Sequence, residues 1–464
     1  MTFTRSWELK MLNARKTGLV FMESFIKVIA VFSLKKGLGS LRLTQKASLY
    51  ASHQHLLGIL GTKGRIVKYY DVIIVGAGII GLASARSLKS KQPNLKILVC
   101  EKESEAGQHA SGRNSGVLHA GFYYSPESMK AQFCRDGNIQ LREFIRSRGI
   151  ALVETGKVVV TKSEQEEKRL EALYERGITN GVKLELLPAN QLEKFEPLAR
   201  TTNTFLWSPT TAVSDPKSVT RALVEDLVSH GVEFNFSTTI TEAQKGRAFL
   251  NGEIIRYGHL LNAAGSQADR IAHQFGVGMQ YTMLPFIGLY RYVEKTRFPL
   301  RTLVYPVPHP LNPFLGVHFT VTHDGLVKIG PTAIPIVGRE QYKLLSNPKF
   351  GDVKSTIRAA ISLITGTKHN VRQIVASEFP KYSSRFLVRE SSKLVPAAQA
   401  IKGWGVKPPG IRSQLVNLKT GELVQDFLIE KGEKSTHILN AVSPGWTSAF
   451  AFGGHVADQA LLDL

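Results

Sequence analysis

From Tyr69 onward the chain alternates short β-branched runs with segments of helical period, and the first 68 residues show neither pattern. In the run Asp71-Val72-Ile73-Ile74-Val75 the four residues after Asp71 are β-branched and apolar, which predicts a short strand buried on both faces. It passes directly into Gly76-Ala77-Gly78-Ile79-Ile80-Gly81. The next segment carries Ile79, Leu82, Ala83, Ala85 and Leu88 on a helical period and ends around Lys91-Gln92-Pro93. A second strand over 96–100 leads into Glu101, completing a βαβ unit. Further on, residues 156–162 read as a strand. Residues 163–180 read as a half-buried helix with Leu170, Leu173 and Ile178 apolar. Residues 215–230 predict a helix capped by Asp215, with Pro216 in its first turn and Val219, Leu223, Leu227 and Val228 at helical spacing. Residues 259–265 form a short apolar strand ending in small residues. Strands over 289–293 and 326–329, a helix over 353–364 and a closing helix over 448–462 complete the pattern, with no internal repeat.

A length of 464 residues suggests two or three domains. With 43% hydrophobic and 21% charged residues, disordered and fibrous classes are excluded. Two cysteines, Cys100 and Cys134, exclude a disulfide scaffold, an iron–sulfur ferredoxin and a multi-cysteine zinc module. A net charge of +22 invites a nucleic-acid or anionic-membrane reading. Its distribution argues otherwise. Residues 1–68 hold 12 Lys/Arg against 2 Asp/Glu, so almost half the excess lies in a small part of the chain. In the remainder the charges are interspersed, and no zinc-finger spacing or RNA-binding motif occurs, so no nucleic-acid partner is expected.

The leader, 1–68, is basic, hydroxyl-rich and acid-poor, which fits a cleaved organelle transit peptide and a mitochondrial location. Its apolar stretch, 18–34, is interrupted by Glu23 and Lys27 and is too short and charged for a membrane span. An interfacial helix giving peripheral membrane contact is the second reading. An upstream extension, with Met11 or Met22 as the start, is the third; it would leave a bacterial cytoplasmic or inner-membrane-associated protein.

The glycine run has a chemical logic. Gly76 permits a tight turn, Gly78 lets backbone approach a pyrophosphate, and Gly81 allows close helix–strand packing. The amides at Ile79 and Ile80 open the helix and offer its positive end to phosphate. Glu101, with Lys102 beside it, lies 20 residues after Gly81, where an acid accepts hydrogen bonds from a ribose diol. FAD and NAD share this fingerprint, and no second GxGxxG occurs, so one dinucleotide is expected. Two features favour FAD. The strand ending at Ala264-Gly265 suits one returning beside the first βαβ unit. The loop 107–121, which includes Arg113, Asn114, Ser115 and Gly116, is dense in small residues, as a chain passing over a flat ring requires.

At these residues the sequence resembles the D-amino-acid-oxidase-like superfamily of FAD-dependent oxidoreductases, and within it the L-2-hydroxyglutarate dehydrogenase/oxidase family. The stretches that carry the resemblance are DVIIVGAGIIGLASA (71–85), HASGRNSGVLHAGFYYSPESMKAQFCRDGN (109–138), YPVP (305–308), PFLGVHFT (313–320), GPTA (330–333), PPGIRSQ (408–414) and NAVSPGWTSA (440–449). Together they span about residues 69–464. The chain departs from the family pattern at Arg113, at Ile287 and Leu289 within PFIGLY, and at Trp446. These departures bear on the substrate rather than on the flavin signature.

The resemblance implies an α/β, glycine-oxidase-like fold in which a Rossmann-type FAD-binding domain (69–150, 205–280 and 403–464) interleaves with an α+β substrate domain (151–204 and 281–402). It also implies cofactor contacts from Ser443, Pro444 and Thr447. Its activity would be oxidation of a small L-2-hydroxy acid, namely 2-hydroxyglutarate, to the 2-oxo acid, with electrons leaving to oxygen or a quinone partner. That chemistry needs a hydride acceptor, a base and a cation for the carboxylate. Arg412 matches the superfamily's carboxylate-binding arginine, and its planar fork suits the task. His119 is the expected base, His318 a pocket residue, Tyr305 a hydroxyl donor, and Lys130 a partner for a distal carboxylate or phosphate. Cys134 is expected to pack within a helix. No HExxH or His/Cys cluster suggests a metal, and no GxSxG suggests a serine nucleophile. Two alternatives remain: oxidation of an amino acid or secondary amine on the same fold, and a flavin-binding protein without catalysis.

Overall fold

The structure, a computed structural model, describes residues 68–309, 316–343, 346, 348–366 and 378–464. The transit-peptide and interfacial-helix readings of 1–67, and residues 313–315 of PFLGVHFT, lie outside the described residues.

The first strand, Tyr69–Val75, lies at the centre of an eight-stranded sheet. It pairs in parallel with Ile97–Cys100 on one side and Glu253–Asn262 on the other, so that Val75 faces Cys100 and Asn262. The strand from 259–265 thus returns beside the first βαβ unit. The uninterrupted apolar run has a simple cause. Val72 and Ile74 point into one core with Leu82, Leu88 and Leu223, while Ile73 and Val75 point into another with Leu98, Leu250 and Leu260. With period-2 side chains, a strand covered on both faces must be apolar at every position. The helix Ile79–Lys91 covers the first face, and Pro216–Ser229 and Gly445–Leu461 pack beside it. Asp215 caps its helix as expected, accepting from the Lys217 and Ser218 amides at 3.1 and 3.2 Å.

A second eight-stranded sheet runs in the order Gly405–Val406, Arg291–Glu294, Leu326–Gly330, His318–Val321, Leu303–Pro306, Lys157–Val160, Thr204–Ser208, Glu185–Pro188. Its central strands are buried throughout. A smaller sheet pairs Tyr281–Gly288 with Gly410–Asn417, setting Arg412 opposite Phe286.

The α/β architecture agrees with the sequence expectation, but several boundaries move. Thr204–Ser208 pairs with Lys157–Val160, so its strand belongs to the second sheet and the expected break at 205 cuts through it. Gly405–Val406 likewise pairs with Arg291–Tyr292, beyond the break placed at 403. Strand pairing is a long-range choice that local composition does not encode. Ile178 and Val228 have helical spacing but are 46% and 56% exposed, because each sits in the last turn, past the packed part of its helix. The closing helix starts at Gly445, three residues before the expected Ser448.

Candidate active site

One cavity of about 690 Å³ lies at the carboxyl ends of Tyr69–Val75 and Ile97–Cys100 and extends to the second sheet. Ligands of open α/β sheets bind in this crevice. Its size falls in the range of cofactor sites.

At the sheet end, Gly76 has φ +103°, and a Cβ there would stand 2.6 Å from Ala263 O. The small residues that end the 259–265 strand are what this close approach requires. A Cβ on Gly81 would stand 2.2 Å from Gly76 O, so Gly81 serves helix packing and does not border the cavity. Gly78 borders it, with Ile79 and Ile80. The Ile79 amide donates to Ser111 Oγ at 2.9 Å, a contact the sequence reading did not anticipate. Glu101 is 9% exposed and borders the cavity. Its Oε2 accepts from the Ala77 amide at 2.8 Å and its Oε1 from the Glu103 amide at 3.0 Å, which holds the carboxylate against the glycine turn.

Lys102 also borders the cavity. Its ammonium contacts Glu103, His109 Nε2 at 2.7 Å and Glu340 at 3.1 Å. Glu103, His109 and Glu340 converge closely enough to suggest a metal site, but Lys102 supplies the positive charge between them. Arg113 lies 4.2 Å from the Tyr342 ring centre, and its Nε donates to Gln108 O at 2.8 Å. Asn114 folds the loop, donating to Ser111 O at 2.7 Å and accepting from the Gly116 amide at 2.8 Å. Arg113, Asn114 and Ser115 border the cavity. Gly116, expected against the ring system, does not. Its φ is +73°, and a Cβ would stand 2.3 Å from Ser214 O, so it makes room for the neighbouring strand.

Ala264, Gly265, Ser443, Pro444 and Thr447 border the same cavity. Thr447 Oγ1 donates to Val117 O and accepts from the His119 amide, both at 3.1 Å, tying the last helix to the glycine-rich loop. Trp446, 8% exposed, adds its ring to the wall.

The opposite end collects His119, Tyr290, Tyr305, His318 and Arg412. His119 is 9% exposed, and its Nδ1 is sealed in the wall without a hydrogen-bond partner. Burial, then the nearby Lys157 and His318, hold its pKa well below the usual histidine value, so the ring is neutral and able to accept a proton. His318 donates from Nδ1 to Gly316 O at 3.0 Å, which leaves the lone pair on Nε2 in the neutral ring. Its ring stacks on Tyr305 at 3.8 Å and 18°. Burial raises the Tyr305 phenol pKa, so it stays protonated. Arg412 is enclosed by protein, with Tyr124 and Tyr290 nearby; burial lowers its pKa, yet a guanidinium stays charged. Lys130 is 7% exposed, and burial brings its pKa down to about 7, with Arg412 acting in the same direction. It does not border the cavity. Cys134 is buried in the helix Met129–Ser147. Ile287, where PFIGLY departs from the family pattern, is 1% exposed and packs with Ile334, Ile336 and Ile411, with Leu289 partly buried against them.

Two buried lysines escaped the sequence reading. Lys328 donates to Ser115 O at 2.9 Å behind the glycine-rich loop. Lys157 lies behind Tyr305. Each occupies an otherwise apolar strand, KVVV and LVKIG, and no sequence signal marks either as buried.

A glycine cradle that a Cβ would fill, an acid beside it, and a polar chamber at the far end of the same cavity fit a flavin dinucleotide with substrate beyond it. This combination defines an oxidoreductase built on a Rossmann-type fold. A family profile described as FAD dependent oxidoreductase matches residues 71–459. The chain is 32% identical to the mitochondrial L-2-hydroxyglutarate dehydrogenase of Homo sapiens, over 86% of this chain and 90% of that one. It is 33% identical to the L-2-hydroxyglutarate dehydrogenase of Escherichia coli K12, over 84% and 93%. Among solved structures, the FAD-bound L-α-glycerophosphate oxidase of Mycoplasma pneumoniae shares the fold, with TM-score 0.68 and 22% identity over 86% and 95% of the two chains. Glycine oxidase from Geobacillus kaustophilus does so with TM-score 0.63 and 18% identity over 85% and 95%. The chain therefore belongs to the FAD-dependent oxidoreductases, and among them to the L-2-hydroxyglutarate dehydrogenase family.

Proposed function

We propose that this protein oxidises L-2-hydroxyglutarate to 2-oxoglutarate with FAD held in the cavity. The observation that carries the reading is that His119 and Arg412 border the same cavity as the Gly76–Gly78 cradle and Glu101. The printed names of the relatives support the substrate.

FAD, when bound, supplies the hydride acceptor. The helix N-terminus after Gly78 would hold its pyrophosphate, and Glu101 would accept from its ribose hydroxyls. Arg412 holds the carboxylate next to the reacting carbon in two hydrogen bonds and so orients the C–H bond. The hydroxyl proton passes to His119 Nε2, the ring nitrogen not sealed in the wall. Tyr305 and His318, stacked on each other, form the wall that keeps water from the reacting carbon.

Turnover of a panel of L- and D-2-hydroxy acids and amino acids with an artificial electron acceptor tests the reading. L-2-Hydroxyglutarate should be preferred, with 2-oxoglutarate as product. Turnover confined to amino acids, with ammonia released, would replace it with amine oxidation. Electrons leave to oxygen or a membrane quinone, distinguishable by oxygen consumption against quinone reduction. The basic leader and the mitochondrial human relative support a mitochondrial location, testable by import of a fluorescent fusion.

A further inference from the structure

Lys157 is fully buried, yet its amine has no conventional partner. It lies on the same face of its strand as Val159, the face that packs against Phe122, Leu303 and Tyr305. Its Nζ is 4.4 Å from the ring centre of Tyr305, 5.1 Å from that of Tyr123 and 5.3 Å from that of Phe122. It makes no hydrogen bond, and no carboxylate forms an ion pair with it among the described residues. Burying an amine in this way is costly, whereas a methionine of similar volume would pack there without penalty. Three aromatic faces compensate in part, since their π-clouds attract a cation. Tyr305 borders the cavity and stacks on His318, so a single ring separates the amine from the substrate end.

The titratable groups facing Lys157 are few. The Cys134 thiol comes from the helix Met129–Ser147, His119 and Tyr123 from the segment after Val117–Leu118, and Tyr305 from the neighbouring strand. Ser208 and Leu303, its register partners in the sheet, do not titrate. Cys134 and both tyrosines are held protonated by burial, so none of them offers a negative charge near neutral pH.

We propose that Lys157 is a positioning residue for the oxidation, an ammonium sealed behind Tyr305 that favours an anionic acid in the cavity and keeps His119 neutral while touching neither. The inference rests on the cavity's being the site of 2-hydroxy acid oxidation. Burial brings the amine down to about 7, so near neutral pH only part of the population is charged. An arriving carboxylate strengthens its hold on a proton, and the uncharged part of the population takes that proton from solvent. Binding of the acid is thereby coupled to proton uptake.

Binding of 2-oxoglutarate, the product and hence not oxidisable, is measured calorimetrically on the flavin-loaded protein in buffers of different ionisation enthalpy. The wild type should take up about half a proton per site near pH 7. Lys157→Met should take up none and bind about tenfold more weakly below pH 7, with its KM no longer rising as pH increases through 7. The acid limb of its kcat/KM profile should move up by about one pH unit, because His119 loses the neighbouring cation. Lys130 and Lys328, also brought down to about 7, and the neutral His119 ring are the other groups able to take a proton. Uptake that persists in Lys157→Met therefore overturns the proposal, as does its absence from the wild type. If Lys157→Met does not fold, Lys157→Arg, permanently charged, should bind without uptake, and uptake there overturns it equally. A protein that is reduced by the hydroxy acid but shows no linked proton refutes this inference alone. A protein that neither binds nor is reduced by the acid refutes it together with the proposed function.

Discussion

Replacing Arg412 with methionine tests the substrate end most sharply. Arg412 is set by its strand opposite Phe286, next to Ile411, and is shielded from bulk solvent. A guanidinium there meets a carboxylate as a fork, giving two charge-assisted hydrogen bonds of about 1.5–3 kcal/mol each. Their joint loss is about 3–6 kcal/mol, and at 1.4 kcal/mol per decade kcat/KM should fall by between about 10² and 10⁴. Methionine fills the space and removes a desolvated charge, so thermal stability should hold or rise. Arg412→Lys restores the charge without the planar fork and should recover only part of the loss. The assay is steady-state turnover of L-2-hydroxyglutarate at matched flavin content. An Arg412→Met protein with full flavin and the parent's kcat/KM would refute the clamp.

Gly76→Ala forces a side chain into φ +103° and sets its Cβ 2.6 Å from Ala263 O. It should cost about 2–5 kcal/mol and release flavin on gel filtration. Asp269→Asn leaves Arg339 facing a neutral group, although both are 1% exposed and are paired through two oxygens. Denaturant unfolding should show a loss of about 3–5 kcal/mol, recovered largely by the double change Asp269→Leu/Arg339→Met. Burial holds His259 and His437 at about 4, below the 6.5 of a free ring, so the unfolded chain binds more protons. Their contribution, at most about 3 kcal/mol each, is complete above pH 6.5 and lost as pH falls to about 4. Urea midpoints across that window should drop steeply, and His437→Gln should flatten the slope.

Local signals carried much of the fold. The strand–glycine–helix–strand run needed only a buried β-branched strand, a turn without side chains and an amphipathic helix, and each is written in consecutive residues. His119, Tyr305, His318 and Arg412 border one cavity although they are far apart in sequence, and family resemblance brought them together on paper. What escaped was set by distant partners. Thr204–Ser208 joined the second sheet because its partner is Lys157–Val160. Gly116 makes room for Ser214, which no local pattern announces. Lys157 reads as an ordinary polar residue at the head of a strand. Its burial depends on Phe122, Tyr123 and Tyr305 closing over it from other parts of the chain.

The central claim is that the flavin cavity accepts electrons from a 2-hydroxy acid. Anaerobic titration of the purified, flavin-loaded protein with L-2-hydroxyglutarate, followed by flavin absorbance, tests it most directly. Stoichiometric bleaching by the L-enantiomer, slower or absent with the D-enantiomer, is the predicted result. A flavin that stays oxidised with both enantiomers, yet is reduced by dithionite, would contradict it.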